Sequence, residues 1–83
     1  MQVALVSGAN RGIGLEVSRQ LALKGFKVYM GMRNIADNNE LIEELKSQDL
    51  NIIPVKLDVT KTADIRNIQN QIKETEGHID VLV

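Results

Sequence analysis

The chain has 83 residues, with 10 Lys and Arg against 11 Asp and Glu, one His and no Cys, for a net charge of −1. That balance sets up no field favouring nucleic acid or an anionic membrane, and the missing cysteines exclude a disulfide framework and a thiolate metal site. One Phe and one Tyr are too few for a base-stacking platform, and no apolar run approaches the roughly 20 residues that span a bilayer.

Val3-Ala4-Leu5-Val6, ended by Ser7-Gly8, reads as a short buried strand, β1. Residues 12–24 follow as a helix, α1, with Ile13, Val17 and Leu21 as its buried stripe and Leu15 and Ala22 beside it. Gly25 supplies its stop. Lys27 to Met32 is a second strand, β2, and Gly31 inside it suggests that something approaches the backbone closely there. A second helix, α2, covers about 37–48, with Leu41, Ile42 and Leu45 inward and the Asn/Asp cluster at 37–39 offering N-caps. Ile52 to Leu57 is β3; Pro54 cannot donate to a ladder, so this strand belongs at a sheet edge. Thr62 to Glu76 is α3, with Ile65, Ile68 and Ile72 on one face, Thr60 or Thr62 as its cap and Gly77 as its end. Ile79 to Val83 opens β4.

The order β-α-β-α-β-α-β predicts an α/β fold with a doubly wound parallel sheet. Right-handed crossovers favour strand order 3-2-1-4, which puts β3 at the edge where Pro54 requires it. On this topology α1 and α2 share one face and α3 covers the other. There is no internal repeat or linker, so residues 1–83 form one unit, read as the amino-terminal part of a single dinucleotide-binding domain.

Between β1 and α1 lies Ser7-Gly8-Ala9-Asn10-Arg11-Gly12-Ile13-Gly14, with glycines spaced G-x-x-x-G-x-G. A helix N-terminus offers free N–H groups and a partial positive charge, which suits a phosphate. Glycines let the chain turn and let a pyrophosphate approach the backbone. A tight strand-to-helix turn without a ligand would use the same residues. The placement after a strand, before a helix and in the first βαβ unit points to a dinucleotide.

The loop resembles that of the short-chain dehydrogenases/reductases, whose motif is T-G-x-x-x-G-x-G; Ser7 stands for the Thr and keeps its hydroxyl. The stretch Ala9 to Glu16 is similar to carbonyl-reductase-like members. Leu57-Asp58-Val59-Thr60 matches a second family segment. There the resemblance implies that Asp58 and Val59 hold the adenine ring, the alternative for Asp58 being a helix cap. Asp80-Val81-Leu82-Val83 resembles the family's fourth strand, which leads into an Asn-Asn-Ala-Gly segment. The likeness thus covers the chain but only about the first third of a typical member.

Sites that prefer NAD carry an acid at the end of β2, roughly 20 residues after the loop, for the ribose 2′-OH. The position is Met32, followed by Arg33. In the family, an arginine there and a basic residue before the second glycine, here Arg11, accompany the 2′-phosphate of NADP. Each could equally be a solvated cation; together, without an acid at Met32, they favour NADP over NAD. Met30 reads as core and Met32 as lining the adenine-ribose pocket.

The expected cofactor residues are therefore Gly8, Asn10, Arg11, Gly12, Ile13, Gly14, Arg33, Asp58 and Val59. The resemblance implies an oxidoreductase moving hydride between NADP and a small-molecule carbonyl or alcohol, with no nucleic-acid or membrane partner and with any oligomer formed through later regions. The family's Tyr-x-x-x-Lys pair and its Ser fall after the fourth strand, so no catalytic residue is assigned; Tyr29, inside β2, is a packing residue. A binding module without chemistry (sensor, scaffold or truncated product) and a superfamily isomerase or dehydratase stay open. His78, alone after Gly77, reads as a solvated loop residue rather than a metal ligand. Glu43 and Glu44 point apart, and Glu40, Glu44 and Lys46 form a wet face. The start Met1-Gln2-Val3 lacks the regions of a secretory signal, and a cytoplasmic setting is expected.

Overall fold

The computed structural model describes residues 1–83. Its strands are β1 (Val3–Val6), β2 (Lys27–Met32), β3 (Ile52–Lys56) and β4 (Val81–Leu82). They alternate with α1 (Gly12–Leu23), α2 (Asn39–Ser47), which a 3₁₀ turn at Ala36–Asn38 precedes, and α3 (Thr62–Glu76). All pairings are parallel and the order is β3-β2-β1-β4, as the topology argument required. Pro54 sits on the edge strand opposite Met30.

Every residue of β1 is buried, because helices cover both faces of the sheet. Side chains alternate, so Ala4, Val6, Val28, Met30 and Met32 pack with Ala22, Ile42 and Leu45 on one face. Val3, Leu5 and Tyr29 pack with Leu57, Ile68 and Ile72 on the other. Thus α1 and α2 share a face and α3 has the opposite one. Each fully buried Val, Leu, Ile or Met among them contributes about 1.5–3 kcal/mol.

The inward face of α1 holds Leu15, Val17, Leu21 and Ala22 as expected and departs at two positions: Ile13 is 83% exposed and Ser18 is buried. Ile13 stands in the first turn of α1, beside the glycine loop in sequence, and packs with neither core cluster. Ser18 can be buried because its hydroxyl donates to the Gly14 carbonyl at 2.8 Å. Gly25 and Gly77 follow their helices at φ +93° and +84°, and the Gly77 N–H donates to the Lys73 carbonyl at 2.8 Å.

The expected caps are replaced. Neither Asn38, which precedes α2, nor Lys61, which precedes α3, makes a side-chain cap bond. Instead Asn34 Oδ1 accepts from the Asp37 N–H at 3.2 Å, and Asn38 Nδ2 donates to the Asn34 carbonyl at 2.6 Å. Thr60 is drawn backward, its hydroxyl donating to Asp58 Oδ1 at 2.6 Å, since a carboxylate is the stronger acceptor. β4 starts later than the apolar pattern indicated because the Asp80 carboxylate takes the Val3 N–H at 2.7 Å.

At the opposite end of the sheet from the strands' carboxyl termini, the Tyr29 hydroxyl donates to Glu76 Oε2 at 2.5 Å, and Lys27 Nζ lies 2.5 Å from the same oxygen. Burial, then the bond to Glu76, pushes the phenol up to about 12, while the bonds from Lys27 and Tyr29 hold the Glu76 carboxyl below its usual range. His78 is more engaged than a solvated loop residue: its Nε2 lies 2.9 Å from Asp80 Oδ2. No helix is long and apolar enough to cross a membrane, and no three His, Cys, Asp or Glu side chains gather to hold a metal.

Candidate functional site

Because all four strands run the same way, their carboxyl ends converge at one rim, beside the N-terminus of α1. The loop from Ser7 to Arg11 is fixed there from two sides. The Ser7 N–H and hydroxyl both donate to the Val83 carbonyl at 2.9 Å, and the Ala9 N–H donates to the Gly31 carbonyl at 2.9 Å. Gly8 and Gly12 have φ +56° and +61°, the left-handed region in which a side chain is strained.

Gly14 answers to contact rather than to φ. A Cβ on it would press into the Gly8 carbonyl oxygen and lie 3.0 Å from the Gly8 carbon and 3.1 Å from the Ser7 oxygen. All three are backbone atoms, so the helix start is seated directly on the loop. The N–H groups of Gly12, Ile13 and Gly14 have no backbone acceptor. The residue before the helix makes no side-chain cap, and the first turn holds no acid. Free donors and the positive end of the helix dipole are therefore left open to an anion.

Next to this helix end is a cleft of about 330 Å³. The glycine loop contributes Gly8, Asn10 and Arg11 to it; the end of β2 and the following turn contribute Met32, Arg33, Asn34, Asp37 and Asn38; the end of β3 contributes Leu57 and Val59. Gly31 explains the third wall. A Cβ there would lie 2.6 Å from Leu57 Cδ2, so the absent side chain lets Leu57 lie across β2. What approaches the Gly31 backbone is thus a side chain of the same domain.

Of the expected residues, Gly8, Asn10, Arg11, Arg33 and Val59 line the cleft, and Gly12, Ile13 and Gly14 form the helix end beside it. Asp58 stands between two lining residues, half-buried. Its Oδ1 accepts from the Thr60 N–H at 3.0 Å and from the Thr60 hydroxyl at 2.6 Å, which leaves Oδ2 without a protein donor. These Thr60 bonds hold its carboxyl below the usual range, helped by the Arg33 and Lys61 charges. Met32 lines the cleft floor but is only 1% exposed, because its side chain also belongs to the core under α1 and α2.

Four lining residues escape the sequence reading: Asn34, Asp37, Asn38 and Leu57. Asp37 and Asn38 read as caps, Leu57 as the end of β3, and Asn34 had no assigned role. The signal that could have found them is position: three directly follow Met32-Arg33 and Leu57 stands at the end of β3, both at strand carboxyl ends, where open α/β sheets bind ligands.

The model of the short chain dehydrogenase family matches residues 2–83. The chain is 41% identical over 83 residues to short-chain dehydrogenase/reductase 1 of Saponaria officinalis, covering 96% of this chain and 28% of that protein. Salutaridine reductase from Papaver somniferum superposes with a TM-score of 0.88 at 33% identity, over 99% of this chain and 29% of that one. A metagenomic short-chain oxidoreductase in complex with NADP superposes with a TM-score of 0.87 at 27% identity, over 98% of this chain and 37% of that one. The chain therefore spans under a third of the length of the Saponaria relative.

Proposed function

The chain belongs to the short chain dehydrogenase family, and on that premise we propose that it is the cofactor-binding part of an NADP(H)-dependent oxidoreductase acting on a small-molecule carbonyl or alcohol. The observation that carries this reading is the pairing of an uncapped, acid-free helix N-terminus with a cleft that bears two arginines. The fit to a dinucleotide rests on the same features: the close seat of Gly14 on the loop, and the unpartnered amides beside it.

In this assignment the amides of Gly12, Ile13 and Gly14 hold the pyrophosphate, with Gly8 and Asn10 shaping the approach. Arg11 and Arg33 face the 2′-phosphate; neither guanidinium is engaged in an ion pair within the chain. Asp58 Oδ2 accepts from the adenine amino group, and Val59 with Leu57 packs against the ring. The bound cofactor supplies or takes up the hydride. The 83 residues bind and orient; the proton-handling residues and the substrate pocket lie elsewhere in the parent protein, which we place in the cytoplasm.

The place of Tyr29 fits a second reading as well. The chain's one tyrosine is tied to Glu76, far from the cleft, so a module that binds a dinucleotide without chemistry would look the same over these residues. Titration of the parent protein with NADPH, followed by cofactor fluorescence, tests the binding claim. Cofactor oxidation over a panel of aldehydes and ketones then separates the two: turnover supports the enzyme, and saturable binding without turnover of any of them supports the module.

A further inference from the structure

The sequence shows no acid where NAD-preferring sites place one, at Met32. The structure brings one into the cleft from five residues further on. Asp37 lies on the 3₁₀ turn after β2 and shares the cleft wall with Arg11 and Arg33. Its backbone is used and its carboxylate is not. The N–H donates to Asn34 Oδ1 at 3.2 Å, whereas the carboxylate accepts no hydrogen bond and joins no ion pair. The turn that carries it is fixed independently, by the Asn38 amide on the Asn34 carbonyl at 2.6 Å.

We propose that Asp37 is a specificity-determining residue of this cleft, one that opposes the two arginines and narrows the preference for NADP over NAD. The inference rests on the dinucleotide reading above. Asp37, Arg11 and Arg33 line one and the same cleft, so a charged group bound in it is flanked by all three residues. A 2′-phosphate there meets two cations and one anion rather than two cations alone. A free 2′-OH has a carboxylate to donate to. Both effects have the same sign: they weaken NADP and favour NAD. The Arg33 charge is also shared with Asp58, which further reduces what the phosphate gains.

The test compares the parent protein with Asp37→Asn and Asp37→Ser, measuring dissociation constants for NADP and NAD at fixed salt. Both variants keep the backbone bond to Asn34, and the residue is exposed, so the fold should be retained; circular dichroism checks it. The expected result is a rise of about three- to tenfold in the ratio of NADP to NAD affinity, smaller at high salt. The fragments 2′,5′-ADP and 5′-AMP should show the same change, which locates it at the adenosine end. An unchanged or lowered ratio in both variants, with the wild-type protein binding NADP normally, overturns the role of Asp37 and leaves the dinucleotide reading intact. Failure of the wild-type protein to bind either cofactor overturns both.

Discussion

Gly14→Ala should damage stability and cofactor affinity together, and the size can be worked from the contacts. The new Cβ meets the Gly8 carbonyl, with the Gly8 carbon at 3.0 Å and the Ser7 oxygen at 3.1 Å, and no flexible side chain is available to yield. The loop cannot drift away freely, since Ser7 is bonded to Val83 and Ala9 to Gly31. Overpacking of this kind costs about 2–3 kcal/mol, and the gain in helix propensity from Gly to Ala returns up to about 1 kcal/mol. The net loss is about 1–2 kcal/mol. Relief requires the helix start to lift from the loop, which moves the amides of Gly12, Ile13 and Gly14 off the phosphate position. A loss of at least tenfold in NADPH affinity, about 1.4 kcal/mol, follows. Gly77→Ala is the control. It has open space around its Cβ but φ +84°, so it should cost about 1 kcal/mol of stability and leave affinity unchanged. Urea unfolding by circular dichroism and NADPH titration of the parent protein read both quantities. A Gly14→Ala protein with wild-type midpoint and wild-type affinity would refute the contact argument and the phosphate placement alike.

Further outcomes follow from other parts of the molecule. Tyr29→Phe removes a buried hydroxyl from its carboxylate partner and should lower stability by about 1 kcal/mol in urea unfolding, with cofactor affinity unchanged. Because the Tyr29 phenol titrates near about 12 in the folded protein against 10.0 for a free tyrosine, its contribution is complete below 10 and is lost as pH rises through 12. Stability measured against pH should fall across that window, and less so in Tyr29→Phe. Glu76 runs the other way: its depressed pKa gives stability that is present above the ordinary glutamate range and is lost in acid, so Glu76→Gln should flatten the acid limb of the same curve. Met32→Asp with Arg33→Ala should reverse the cofactor preference in paired titrations. It should also lower stability by about 1–3 kcal/mol, since the carboxylate enters a position that is 1% exposed. The 83-residue chain alone should bind an apolar-surface dye, because Leu82, Val83 and Val59 are 57%, 49% and 57% exposed and β4 is paired on one side only.

The topology was legible because two independent signals agreed. Alternating strand and helix patterns implied a parallel sheet, and Pro54 demanded an edge for β3. The glycine spacing located the loop, and the isoleucines of α3 located its buried face. Periodicity alone could not say which turns of α1 lie against the sheet, so the stripe takes in Ile13, which the fold leaves exposed. Nor could residue type say which way a turn faces. Asp37 and Asn38 read as caps, and Thr60 as a cap for α3; only the folded backbone turns the first two, together with Asn34, into the cleft and ties the last to Asp58. Met32 was legible as the end of β2 and as a pocket residue, but its second place in the core under α1 and α2 was not, because residue type does not show how deeply a strand end is buried.

The central claim is that Arg11 and Arg33 make this cleft a site for a 2′-phosphorylated dinucleotide. The most direct measurement is the pair of dissociation constants for NADP and NAD in the parent protein and in Arg33→Ala, at one fixed salt concentration. A charge-assisted bond contributes about 1.5–3 kcal/mol, discounted at this wet end of the cleft and opposed by Asp37, so NADP should bind about tenfold more tightly than NAD. Arg33→Ala should lose most of that margin through weaker NADP binding, with NAD nearly unchanged. Equal affinities in the parent protein, or a preference that survives Arg33→Ala in full, would contradict the assignment of the 2′-phosphate to these arginines.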